Sequence, residues 1–457
     1  MPITMGARRM GAAIPIALFA ALLNSAQAQD QMPMNKPMDM PDMPGMAMPN
    51  TPTSGMKDMP GMAMPGMQSM PGMRSTGVLG NYPMTRDASG TSWQPDLASH
   101  SGVHLMAGDW MFMLHGSLWG VYDTQSGPRG DDKFFGAGMV MAMARRDFGD
   151  TDTLQFRAML SPDPFMGRSG YPLLLATGET ANGTTPLVDR QHPHDLFMEL
   201  SSSWSHKLGA GDSAFLYVGY PGEPALGPPA FMHRGSGMDI PEAPITHHWL
   251  DSTHITFGVL TAGFVHDDWK LELSQFTGRE PDQFRFNFDG AKFDSTSARV
   301  SYNPDAHWSL QASWGFLKSP EQLEPATDEN RVTASASYVT KWGAEQSIAV
   351  TAGWGLKDLS DGHRLNGLFV ETEYHPAMNW TAFARGEWEQ NAEIDATGVT
   401  RAVGELTLGG IRDFSLAEHV KFGLGALYTF DFVPSPVVPV YGGDPHGAMV
   451  FGRIALE

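Results

Sequence analysis

Methionine is the first residue type here whose placement suggests chemistry. Between Met32 and Met73 the chain repeats Met-Pro-Gly-Met, and the octapeptide Asp42–Pro49 recurs unchanged as Asp58–Pro65. Met43, Met46, Met48, Met59, Met62, Met64, Met67, Met70 and Met73 are therefore closely and regularly spaced. Thioether sulfur is a soft, uncharged ligand that suits Cu(I) and needs no deprotonation. Recurring Pro and Gly exclude helix and sheet, so the stretch is expected to be a disordered arm leaning towards polyproline II. Such an arm has no core for its methionines to fill. Low-complexity drift in a linker is the competing reading.

Histidine forms a second group. Half of the 16 histidines fall between His192 and His266. They cluster as Arg190-Gln191-His192-Pro193-His194-Asp195, as Phe231-Met232-His233-Arg234, and from Thr246-His247-His248 through Asp251 to His254. Imidazole beside a carboxylate is a common site for copper or zinc. On an extended chain His192 and His194 point the same way. His248 and Asp251 join them only if two long loops meet. A hydrogen-bonded loop plug, with His and Asp paired to backbone and Arg, explains the same residues. It stands ahead of the metal site because no single spacing is diagnostic.

A third group lies on alternating segments. Trp110, Phe112, Leu114 and Leu118 share one face, while Met111, Met113 and His115 share the other. Met139, Met141 and Met143 repeat the pattern beside Arg145. The readings are a thioether ladder for Cu(I) or ordinary packing against an in-folded loop. Glu371, Glu373, Glu387 and Glu389 with Arg385 read as wall charges or a solvated face. Asp251-Ser252-Thr253-His254 holds the residue types of an acyl hydrolase, but such close neighbours do not make a triad by themselves. No enzymatic activity is expected.

The elements that would position these groups are strands. From about His104 onward, apolar and polar residues alternate with period two. Trp308, Leu310, Ala312, Trp314 and Phe316 oppose His307, Ser309, Gln311 and Ser313. About sixteen such strands follow, with starts near His104, Lys133, Asp152, Leu196, Ser213, His254 and onward to His446. Short turns alternate with long links, notably Pro162–Asp195 and Pro221–Thr253. Aromatics at the ends of apolar faces, polar opposite faces and this alternation of loop lengths together point to an antiparallel transmembrane β-barrel. Only a closed ring satisfies the backbone in lipid. An even strand number places both ends, and the arm, in the periplasm.

Composition is consistent with that reading. The chain has 457 residues, no cysteine and a net charge of −20. Thiolate sites and disulfides are excluded, and nucleic acid is a poor partner. Residues 1–28 read as a secretory signal, with Arg8 and Arg9, an apolar run, and Ala26-Gln27-Ala28 as the cleavage site. Residues 29–100 are then the Met-rich arm, too short and irregular for a folded plug, and residues 101–457 the barrel.

Signal, Met-Pro-Gly arm (Met43–Met48, Met59–Met67, Met70–Met73) and barrel together resemble outer-membrane copper resistance proteins of the copper resistance protein B type. That resemblance implies copper tolerance, with a copper ion as cargo or ligand, lipid as surroundings and periplasmic copper proteins as candidate partners. A porin-like channel for small solutes and a barrel lipid hydrolase are the alternatives.

Overall fold

The computed structural model describes residues 76–99, 102–343, 346–395 and 397–456. The signal segment and the Met43–Met73 repeats lie outside these described residues.

Nineteen strands are present among them. They are β1 (Val103–Ala107), β2 (Trp110–Gln125), β3 (Asp132–Phe148), β4 (Asp152–Leu160), β5 (Tyr171–Thr180), β6 (Pro186–Gln191), β7 (Phe197–Lys207), β8 (Asp212–Gly219), β9 (Val259–His266) and β10 (Trp269–Phe276). There follow β11 (Ser295–Tyr302), β12 (Trp308–Leu317), β13 (Glu329–Trp342), β14 (Gln346–Leu359), β15 (Arg364–Ala377), β16 (Trp380–Asn391), β17 (Arg401–Ala417), β18 (Val420–Phe432) and β19 (His446–Leu456).

Sixteen of these strands close an antiparallel ring. Closure is made by β19 on β2, from Gly447↔Gln125 to Leu456↔Gly116. The same edge of β2 continues with β1, from Leu114↔Val103 to Trp110↔Ala107. β5 and β6 form a separate hairpin inside the β4–β7 link. The expected start near His254 moves to Val259, because residues 247–254 wind into short helical turns.

Side chains are sorted inside out relative to a soluble protein. On β10, Leu271 and Leu273 are 57% and 58% exposed while Lys270 and Glu272 are buried. Arg331 and Arg385 are among the largest fully buried side chains. A continuous apolar exterior over charged interior faces suits lipid outside. Aromatics gather at the short-turn rim, where Trp269 stacks on Tyr302 and Trp308 packs on Tyr338 with centroids 4.1 and 4.7 Å apart.

Chain segments fill much of the lumen and pack against the polar inner faces. From the long-loop end, the β4–β7 and β8–β9 connections fold inward. Leu173, Leu174 and Leu175 of β5 pack with Phe383, Val403 and Leu427 of the wall. From the short-turn end, residues 76–99 line the inner wall. Val78, Leu79, Tyr82 and Trp93 pack on Phe215 and Val265. Ser205 and Ser213 donate to the carbonyls of Val78 and Leu79, each at 2.6 Å. Residues 76–99, read from sequence as arm, are thus part of a plug.

Candidate functional site

The two faces of β2 set out the first half of the site. Phe112 is exposed on the outside, while Met111 and Met113 are buried towards the lumen. Strand β3 pairs in register, with Met113 opposite Met143, His115 opposite Met141 and Ser117 opposite Met139. The residues named on the two strands therefore share one inner face, as their alternation required. Strands β4 and β7 add Met159 and Met198, and the β8–β9 loop adds Met232 and Met238. Periodicity on β4 (Thr153, Gln155, Arg157, Met159) could have found the first of these. Met232 and Met238 lie in irregular chain and carry no such signal.

Between these strands and the plug lies a cavity of about 80 Å³. Met111, Met113, Met141, Met143, His115 and His233 contribute to its lining, and so do Asp87, Arg145 and Arg157. The His115 and His233 rings are 5.9 Å apart, edge to face. His233 Nε2 lies 3.4 Å from Met159 Sδ. The space is about that of a few waters, and its walls combine soft thioethers with the charged groups of Asp87, Arg145 and Arg157.

The second half of the site is a histidine centre formed where the two loops meet. His194 precedes β7, while His247 and His254 flank Asp251 in the β8–β9 loop. One ring nitrogen from each of the three lies within 4.8 Å of those of the other two, and all three residues are buried. Their Nδ1 atoms are engaged at 2.8 Å, with Asp163 Oδ2, Asp251 Oδ1 and the Asp251 carbonyl respectively. All three Nε2 atoms are buried without a hydrogen-bond partner among the described residues. Burial pushes His247 below the ordinary imidazole value, and burial plus the neighbouring imidazoles pushes His254 well below it. Both shifts favour the neutral ring at His247 and His254, and a ring whose Nδ1 carries the proton keeps a lone pair on Nε2.

Asp251 is a support rather than a ligand. Burial alone would raise its pKa, but Arg234 and His247 hold it well below the usual carboxylate range. Arg234 bridges Asp251 and Glu371 at 2.7 and 2.6 Å. Ser236, Thr246 and Glu242 fasten the same loop to Thr351, Glu387 and Thr407 of the wall. Glu371 and Glu387 are thus anchors, not a solvated face.

The other sequence candidates fall outside the trio. His192 sits 3.2 Å from Glu179, and its ring lies 6.3 Å from that of His194. His248 pairs with Glu280 at 3.3 Å, and that pair forms a second group with Glu321. Glu280 holds the His248 imidazole above its ordinary value against the effect of burial. His233 belongs with the thioethers. Ser252 accepts from Arg331 at 2.9 Å, whereas His254 Nδ1 faces the Asp251 carbonyl, so the expected serine–histidine neighbours take different partners.

No family model matches the chain, and no curated protein does either. Among solved structures, Salmonella typhi OmpF in complex with daunomycin is similar, with a TM-score of 0.51 at 9% identity over 78% of this chain and 100% of that one. An anion-selective porin from Comamonas acidovorans gives 0.44 at 12% identity, covering 76% and 100%. The outer membrane channel DcaP of Acinetobacter baumannii gives 0.43 at 10% identity, covering 78% and 100%. The OmpF likeness establishes the fold. This chain is a closed sixteen-strand barrel resembling outer-membrane porins, a fold that implies contact with lipid.

Proposed function

We propose that this barrel is a constricted outer-membrane channel that handles a soft metal cation, copper in the Cu(I) state being the case that fits. The observation that carries the reading is the cavity between β2, β3 and the plug, where Met111, Met113, Met141, Met143, His115 and His233 gather beside Asp87, Arg145 and Arg157. Thioethers discriminate by softness, and without fixed charge they bind weakly enough to release. The Met43–Met73 repeats would collect the ion on the periplasmic side and pass it to this wall. The resemblance to the copper resistance protein B type supports that assignment of the arm.

A porin-type channel for small solutes is the second reading, favoured by the likeness of the barrel to OmpF. Against it stands the filling of the lumen by residues 76–99 and two long loops. The two readings separate in vesicles holding the full-length protein. Flux of Ag(I), a redox-inert soft cation, is measured beside flux of a neutral sugar. The proposal expects Ag(I) flux that falls at least tenfold in the combined Met111→Leu, Met113→Leu, Met141→Leu variant, with little sugar flux. Sugar flux at porin rates, with Ag(I) flux indifferent to the substitutions, would establish the second reading instead.

A further inference from the structure

We infer that His194, His247 and His254 form a binding site for one divalent transition-metal cation of the Zn²⁺/Cu²⁺ class, and that this ion staples together the two loops that plug the barrel. The inference rests on the inward-folded loops and not on the thioether reading, so either can fail alone.

Three observations converge on it. Each imidazole presents a buried Nε2 without a donor, and the three lie close to one another. Each Nδ1 is held by a carboxylate or a carbonyl, which fixes the tautomer that leaves Nε2 free to ligate. That outer arrangement is the one that orients histidines around a metal. Three buried ring nitrogens without a partner among the described residues are costly, and one shared cation satisfies all three.

The donor set chooses the class of ion. Three imidazoles without thiolate suit Zn²⁺ and Cu²⁺, and three protein ligands leave one position open. Asp163 and Asp251 behind the rings match the divalent charge. With bonds of about 2.1 Å, tetrahedral geometry puts ligand nitrogens roughly 3.4 Å apart, so the rings need draw in by an ångström or so. The Phe231 ring packs 6.2 Å from His194 and 5.6 Å from His247, centroid to centroid, and closes one side against water. His194 comes from the β4–β7 connection and the other two from the β8–β9 connection, so a shared ion crosslinks the plug.

The test is titration of purified, chelator-stripped full-length protein in detergent with Zn²⁺ against a chromophoric chelator. One tight equivalent is expected, lost at least 100-fold in affinity in the His194→Gln, His247→Gln double variant. In Asp163→Asn the affinity falls roughly 10- to 100-fold, since only the outer partner of His194 changes. His363→Gln, an exposed histidine on an outer loop, retains wild-type affinity. Heat-modifiable migration on gels verifies that each barrel is folded, and Asp163→Asn decides the matter if the double variant is not. A wild-type protein with no Zn²⁺ equivalent at micromolar concentration would overturn the inference. So would a tight equivalent that is indifferent to whichever of the two variants folds.

Discussion

Two sectors of the same lumen wall are built on opposite chemistry. Strands β2–β4 present thioethers, with Met111, Met113, Met141 and Met159 facing inward and a cavity against them. Strands β13–β17 present charge, with Arg331 on Glu329 and Arg385 on Glu387 at 2.6 and 2.8 Å, and Arg234 of the plug on Glu371. The charged sector fastens the inward loop through buried ion pairs and hydrogen bonds. The thioether sector holds residues 76–90 through Arg145 and Arg157, which donate to Thr76, Ala88 and Gly90, and leaves space beside its methionines. One side of the barrel therefore holds the long loop through ion pairs, and the other borders a cavity that soft thioether donors share with Arg145 and Arg157.

The contrast can be broken most forcefully at the fastening. Arg234→Ala strands Glu371 and Asp251 as unpaired buried charges, at a cost of about 3–5 kcal/mol. A lowered thermal midpoint and a rise in single-channel conductance are expected; unchanged conductance would mean that the loop is held elsewhere. On the lipid side, Leu273→Arg puts a charge into the apolar belt and should cost about 2–4 kcal/mol, read by urea unfolding in vesicles. A neutral result there would place Leu273 away from the bilayer midplane.

Finer substitutions sharpen the other sector. Met111→Leu, Met113→Leu and Met141→Leu conserve volume and should each cost less than about 1.5 kcal/mol while removing thioether ligands. A large loss of stability would show that these residues serve packing. Smallest is Trp308→Leu at the rim, where loss of the Tyr338 contact should cost about 1 kcal/mol in the same unfolding assay.

The barrel was legible because period two is a local property. The alternation over His307–Leu317 is β12, and the inner and outer faces named on β2 hold residue by residue. Residues 76–99 were not legible. Val78, Leu79, Tyr82 and Trp93 have no helical or strand period, and the side chains that secure this segment come from distant strands. Arg157 donates to the Gly90 carbonyl, Lys270 to that of Thr91, and Arg299 to the Thr91 hydroxyl. The histidine centre was half legible. His247 and Asp251 stand four apart, which a single helical turn brings together. His194 joins them only because the two loops fold to the same depth, which no spacing in the chain records. His192, its neighbour two residues before, turns instead to Glu179.

The account stands most directly on whether the thioether sector binds a soft cation. Cu(I) capacity, measured by competition with a colorimetric ligand, compares the full-length protein with the combined Met111→Leu, Met113→Leu, Met141→Leu variant. Both keep the Met43–Met73 repeats, so the difference between them belongs to the lumen. A loss of one equivalent of Cu(I), with the barrel still folded, is the result predicted. Equal capacity and equal affinity in the two proteins would contradict it.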